Sequence, residues 1–325
     1  MGDRRAVSYG RRVSWHAARH PHQAAFVFVG GSGERTVTWR ELEDASNRAA
    51  RLLAEEGLGQ GSMLAVVAPN SVEHVVATIA GWKLGACVLP LRWDLPAWER
   101  ERVLEVAAPD VIVGHPGPDG DRSRAVPVVS PRELADAAGP SAPLPDRVAD
   151  PVWAIATSGS TGTPKVIVRN QPGAAAPGEG TGPAGAYLGH RPGQVQLVPA
   201  PMYHANGLYS FHWGLFEGQR LVLMERFDAA TALDLIERQR VNTFCGVTIM
   251  FQRMARTPDV GARDLSSLQS VLQGGAALPE WVARKWIDLV GPDRFFVSSG
   301  SSENAGTAMA RGDEWLAHPG TIGRP

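Results

Sequence analysis

The chain has 325 residues, 44% hydrophobic and 20% charged. This is ordinary globular composition, long enough for about two domains and a sizeable buried core. Its 33 acidic and 32 basic residues leave a formal net charge of −1, which excludes a global basic field directed at nucleic acid or an acidic membrane surface. Two cysteines, Cys87 and Cys245, sit inside apolar runs, too few for a disulfide framework, and read as buried reduced thiols. The N-terminus lacks an apolar signal core, and no apolar stretch approaches the roughly 20 residues of a membrane-spanning helix. The expectation is a soluble, cytoplasmic protein with no membrane span.

In chain order, 25–29 and 63–68 read as strands. Val72, Val75, Val76 and Ile79 follow helical spacing and predict an amphipathic helix over 71–84. A strand at 86–89, a helix over 96–107 and a strand at 111–113 follow. Residues 115–150, rich in Pro, Asp and Arg, read as surface connection. Apolar β-type runs at 152–156 and 166–168 flank a hydroxyl-rich stretch. Residues 171–193 carry too many Gly and Pro for a regular element and read equally as a mobile loop beside a site or a linker. Then come a strand at 221–224, a helix from an Asp228 N-cap to about 238, a strand at 242–245 and a helix over 248–256. A strand at 270–273, a helix over 279–289 and a strand at 294–297 complete the series. This alternation predicts an α/β fold of layered, mostly parallel β-sheets flanked by helices. No internal repeat recurs at a fixed period.

The sharpest local feature is Thr157-Ser158-Gly159-Ser160-Thr161-Gly162-Thr163-Pro164-Lys165. Gly159 and Gly162 let backbone N–H groups approach a ligand without Cβ interference, and the hydroxyls add donors. Of the 32 basic residues only three are lysine, Lys83, Lys165 and Lys285, and Lys165 stands where a point charge suits phosphate. A Walker loop is excluded, because Pro164 precedes the lysine and a strand-like run follows it. The competing reading is a Ser/Gly-rich hairpin without a ligand.

With this loop the chain resembles the adenylate-forming superfamily of acyl-CoA synthetases, aryl-CoA ligases, luciferases and peptide-synthetase adenylation domains. The family loop runs Ser/Thr-Ser-Gly-Ser/Thr-Thr-Gly-x-Pro-Lys. Further matching segments follow in order: Pro201-Met202-Tyr203-His204-Ala205-Asn206-Gly207, Gly274-Gly275-Ala276-Ala277, Ser299-Gly300-Ser301-Ser302-Glu303 and Gly320-Thr321-Ile322-Gly323-Arg324-Pro325. The resemblance implies a two-step reaction using ATP, Mg2+ and coenzyme A. A carboxylate attacks the α-phosphorus of ATP, and a thiol then displaces AMP from the acyl-adenylate. The partners implied are a small-molecule carboxylic acid and its acyl-adenylate.

The resemblance also assigns residues. Residues 157–165 hold the β- and γ-phosphates, with Thr157, Ser158, Gly159, Ser160, Thr161, Gly162, Thr163 and Lys165 as the binding set. Gly274, Gly275 and Ala276 stand on the nucleotide side, with Ser299, Gly300 and Ser301. Ser302 meets the α-phosphate and Glu303 binds Mg2+, which suits a hard ion with oxygen ligands. His204 gates the acyl pocket. Lys165, Ser302, Glu303 and His204 form the catalytic set. The pocket is expected to be apolar, lined by Tyr203, His204, Phe244, Cys245, Gly246, Val247, Met250 and Gly275, with the competing reading that the apolar segment is core. Tyr203-His204 replaces the Asp that pairs a substrate ammonium in peptide-synthetase domains, which argues against an α-amino acid.

Two departures matter. Ser299 occupies the position of an aromatic that stacks on adenine in the family. The chain stops at Pro325, where family members continue into a hinge and a small C-terminal domain carrying another lysine. The expected organisation is therefore one large N-terminal AMP-binding domain over 1–325, with subdomains about 1–190 and 191–325 and the small C-terminal domain absent. Two alternatives stand beside the synthetase: a ligase that uses a supplied acyl-adenylate, and a non-catalytic binding module. A homodimer is left open.

Overall fold

The computed structural model describes residues 6–114, 126–157, 164–176, 182–300 and 307–323. Contacts divide the chain into two compact units, one of residues 1–25 and 36–180, the other of 26–35 and 181–325.

In the first unit, Ser71 caps the helix Val72–Leu84 by accepting from the backbone N–H of His74, and Gly85 ends it in the left-handed region at φ 78°. Twelve of its 13 residues are buried. The amphipathic expectation for 71–84 is thus corrected: the spacing Val72, Val75, Val76, Ile79 marks one buried face, but Ala77, Ala80 and Trp82 bury the others. Thr38 and Glu41 form a capping box that starts the helix Trp39–Glu55. Both helices accompany a four-stranded sheet ordered Cys87–Leu91, Met63–Val67, Val111–Gly114, Val128–Val129, with every pair parallel. Strand interiors are continuous and apolar, as a parallel sheet requires. A separate antiparallel hairpin joins Ala154–Thr157 to Lys165–Val168 and buries Ala154 in the sheet's core cluster.

The second unit is built on an eight-stranded sheet. Its order is Thr307–Arg311, Phe295–Gly300, Ser270–Gly274, Thr243–Val247, Val195–Val198, Arg220–Met224, Ala24–Gly30, Gly33–Thr38. From Phe295–Gly300 to Ala24–Gly30 every pair is parallel, and the edge strand Thr307–Arg311 is antiparallel. Side chains alternate between two apolar layers. Phe244, Val271, Phe295 and Val297 enter one layer, with Phe251 and Trp286 from the helices Thr248–Ala255 and Glu280–Val290. Leu272 and Phe296 enter the other, with Leu188. Asp228 caps the helix Ala229–Arg238, as its sequence predicts. Within 171–193, read as free of regular elements, a short helix Gly182–Tyr187 and a two-residue strand Ala174–Ala175 form. Among the described residues no helix is long and apolar enough to cross a membrane.

Both cysteines are free, and burial pushes each thiol up to about 12. Burial shifts three basic side chains, Lys83 and His74, which are buried, and His190, which is half-buried. Lys83 is 6% exposed. Its Nζ lies 2.6 Å from Glu43 Oε2 and 2.7 Å from Asn47 Oδ1. Glu43 Oε1 accepts from Asn47 and from Ser14, each at 2.9 Å. Burial pulls Lys83 down to about 8, against the opposing pull of Glu43. His74 in the first unit and His190 in the second are each pushed down by burial to about 4.

Removing one partner of a buried ion pair strands the other. Lys83→Met is expected to cost about 3–5 kcal/mol. Adding Glu43→Gln should recover part of that loss; urea unfolding at pH 7 checks it, and strictly additive losses would contradict the network.

The histidines set an acid limb. Between pH 6.5 and about 4 they are neutral in the folded chain and protonated in the unfolded one. The unfolded state binds more protons there, so stability falls as pH falls, by up to about 1.4 kcal/mol per pH unit for each histidine. Urea midpoints at pH 7, 5.5 and 4.5 should show a shallower loss for His74→Gln than for the parent.

Candidate functional site

The first unit carries the stem of the phosphate-loop pattern. Thr157 and Lys165 are register partners in the antiparallel hairpin, so their side chains stand on one face. Lys165 is exposed and Thr157 half-buried. Ser158, Gly159, Ser160, Thr161, Gly162 and Thr163 lie outside the described residues.

In the second unit three of the matching segments lie at or just after the carboxyl ends of parallel strands. After Val195–Val198, Met202 is fully buried and anchors Pro201–His204. The Tyr203 and His204 rings lie 4.7 Å apart at 55°. His204 is exposed and occupies the N-cap of the helix Ala205–Glu217 without a side-chain cap hydrogen bond. Gly207 is required by close approach: a Cβ there would sit 2.1 Å from the carbonyl oxygen of Pro201.

The strand Ser270–Gly274 leads into Gly275-Ala276-Ala277, which a buried polar clamp holds. Gln273 is fully buried, and its Nε2 donates to Thr248 Oγ1 at 2.9 Å and to the carbonyls of Ala276 at 2.8 Å and Gly274 at 3.2 Å. Thr248 Oγ1 also donates to the Ala276 carbonyl at 3.0 Å, and Ser298 Oγ donates to the Gln273 carbonyl at 3.0 Å. Gly275 takes φ +85°, with Val247 Cγ1 3.2 Å and Asn206 Nδ2 3.4 Å from where a Cβ would stand. Ser299 and Gly300 pair with Ala308 and Thr307 across the edge hairpin. Ser301, Ser302 and Glu303 lie outside the described residues, as do Arg324 and Pro325.

The apolar segment divides by strand alternation. Phe244 is fully buried, stacked on Phe251 at 5.4 Å and edge-on to Trp286 at 5.9 Å. Met250 belongs to the same core, and a Cβ on Gly246 would point at Phe251. The expectation that these three line a pocket is corrected: they face the core. Cys245 packs on the opposite layer, and Val247 reaches the Gly275 turn. Gln273, Thr248, Ser298 and Asn206 were not singled out for roles from the sequence. The signal for Gln273 is one polar residue inside an apolar parallel strand. Asn206 stands inside a matched segment.

A family model described as AMP-binding enzyme matches residues 13–325. The chain belongs to that family. Among its relatives, the fatty acid–acyl-carrier-protein ligase ScoC of Streptomyces coeruleorubidus is 29% identical over 281 residues, 82% of this chain and 53% of ScoC. The chain thus spans about half of that relative's length. The AMP-binding fold is also seen in the inhibitor-bound N-terminal domain of FACL13 from Mycobacterium tuberculosis. That structure has a TM-score of 0.81 and 23% identity, and the match covers 98% of this chain and 82% of that N-terminal domain chain. O-succinylbenzoate coenzyme A synthetase (MenE) of Bacillus subtilis, in complex with ATP and magnesium ion, gives a TM-score of 0.82 at 23% identity, over 97% of this chain and 64% of MenE.

The clamp makes a stability prediction. Gln273→Leu removes the donor shared by Thr248 and two carbonyls and is expected to cost on the order of 1–3 kcal/mol. Gln273→Leu with Thr248→Val should cost less than the sum, because both serve the Ala276 carbonyl. Urea denaturation of the three variants checks both statements.

Proposed function

We propose that this chain is the ATP- and acyl-binding portion of an AMP-forming ligase that activates a hydrophobic carboxylic acid for transfer to coenzyme A. One observation carries the reading: Thr157 and Lys165, the first and last residues of the phosphate-loop pattern, are paired across a hairpin in an AMP-binding family chain. The ligase relatives and the MenE complex with ATP and magnesium ion support it.

In the proposed reaction a carboxylate oxygen attacks the α-phosphorus, the bond to the β-phosphate oxygen breaks, and pyrophosphate leaves. The thiol of coenzyme A then attacks the acyl carbonyl, loses its proton and expels AMP. No enzyme nucleophile is needed, so the chain's residues act by positioning and charge. Lys165 and the loop 157–163 hold the β- and γ-phosphates. Ser302 meets the α-phosphate. His204, exposed beside Tyr203, gates the acyl side. Glu303 would hold Mg2+: one carboxylate plus phosphate oxygens is an all-oxygen donor set that suits the ion, and among the described residues no cluster of three His, Cys, Asp or Glu competes for a metal. Bound there, Mg2+ neutralises phosphate charge.

Ser299 favours a second reading. A serine in place of the aromatic forgoes roughly 0.5–1.5 kcal/mol of stacking, which weakens ATP binding and favours use of a supplied acyl-adenylate.

Lys165→Ala separates phosphate contacts from the rest. Its affinity for Mg2+–ATP, by calorimetry on residues 1–325, is expected to fall on the order of tenfold or more, since charge-assisted contacts contribute about 1.5–3 kcal/mol. AMP affinity should not move. Equal losses for ATP and AMP would overturn the assignment.

A further inference from the structure

Asn206 is left with an unmade bond. Its Nδ2 is buried and has no hydrogen-bond partner among the described residues. Buried amide donors are rarely left in this state, and each one calls for an explanation. The surroundings supply one. Nδ2 lies 3.4 Å from where a Cβ on Gly275 would stand and 3.8 Å from the same point on Gly274. Glycine at 275 leaves the space beside Nδ2 without a side chain of its own, while Ser298 Oγ stands 2.7 Å from the corresponding point on Gly274. Val247 Cγ1, 3.2 Å from the Gly275 point, closes it with an apolar wall. The turn cannot easily retreat, because Gln273 and Thr248 hold the carbonyls of Gly274 and Ala276. Asn206 itself is fixed in the first turn of the helix Ala205–Glu217, where Gly207 packs on Pro201. A rigid donor, an apolar wall and a strip of glycine backbone therefore meet at one point, and no described group accepts the proton.

We infer that Asn206 is a substrate-contacting residue whose Nδ2–H donates to the carboxyl oxygen of the acid, the oxygen retained as the acyl carbonyl of the adenylate. The inference rests on the proposed adenylate chemistry and extends it to a residue given no role there. A neutral amide suits this task. It donates to the carbonyl without forming an ion pair, and its bond strengthens when the thiol attacks and negative charge gathers on that oxygen.

The test uses residues 1–325 and two probes differing in one acyl group. 5′-O-(N-acetylsulfamoyl)adenosine carries the carbonyl oxygen; 5′-O-sulfamoyladenosine lacks it. Calorimetry is expected to show that Asn206→Ala weakens the acetylated probe about threefold to tenfold, as for loss of a neutral hydrogen bond. Asn206→Asp keeps the shape, removes the donor and should weaken it more than tenfold. Neither variant should change affinity for sulfamoyladenosine, and unchanged binding of that probe also reports that the variants are folded. Equal losses for both probes, or no loss for the acetylated one, would overturn the role of Asn206. Failure of the parent chain to bind either probe would instead overturn the adenylate reading and this inference with it.

Discussion

Val247 pairs with Gly274, and Gln273 with Val297, in parallel register. These pairings bring the carboxyl ends of Thr243–Val247, Ser270–Gly274 and Phe295–Gly300 to one edge of the second unit's sheet, beside Val195–Val198. Pro201–His204, Thr248 and Gly275–Ala277 follow three of these ends, and Ser299–Gly300 form the fourth. In open α/β sheets the crevice outside the carboxyl ends is where ligands bind. The reason is economy of side chains. A parallel sheet is covered on both faces, so its interior residues are committed to packing. Chemistry is left to the strand ends and the turns after them. Phe244 and Met250 therefore belong to the core, while Val247, at the end of its strand, reaches the Gly275 turn.

Irregular backbone at those ends creates its own demand. A turn such as Gly275–Ala277 has carbonyls that no neighbouring strand can satisfy. Gln273 and Thr248 answer from inside the sheet, two side chains meeting on the Ala276 carbonyl. The Lys83–Glu43–Asn47 group in the first unit follows the same logic with charge. Each donor and acceptor there is matched, so burial is tolerable, and the depressed lysine records the desolvation that remains. The buried Nδ2 donor of Asn206, by contrast, has no hydrogen-bond partner among the described residues.

Much of the architecture was legible in the sequence because strands buried on both faces leave continuous apolar runs. The strands at Met63–Val67, Val111–Gly114 and Ser270–Gly274 stand within a residue or two of expectation. Helix boundaries were legible where a cap marked them, as at Asp228. The capping box of Thr38 and Glu41 was equally visible, yet the helix it starts went unread, as did Tyr9–Arg19. The helix Val72–Leu84 was found but its surroundings were misjudged, since periodicity reports one buried face and is silent about the others. For the site, motifs located the segments but could not say which way side chains turn. A run such as Phe244-Cys245-Gly246-Val247 is uniformly apolar on paper; the pleat sends alternate residues to opposite layers.

Two described strand pairs share a form. Thr157 pairs with Lys165 eight positions on, and Gly300 with Thr307 seven positions on, each antiparallel. An antiparallel partner lets a chain return after a few residues, where a parallel one needs a crossover of a dozen or more. The second unit's sheet carries such a partner at one edge, where Thr307–Arg311 runs antiparallel to Phe295–Gly300. In both pairs the antiparallel register brings the two strand ends to neighbouring positions. In the first unit the hairpin is secured by Ala154 in the core and by Ala156 and Val166 packed against it. Lys165, at the far end of the same stem, is exposed. Apolar residues anchor the base of the hairpin, and the paired end carries the hydroxyl and the charge.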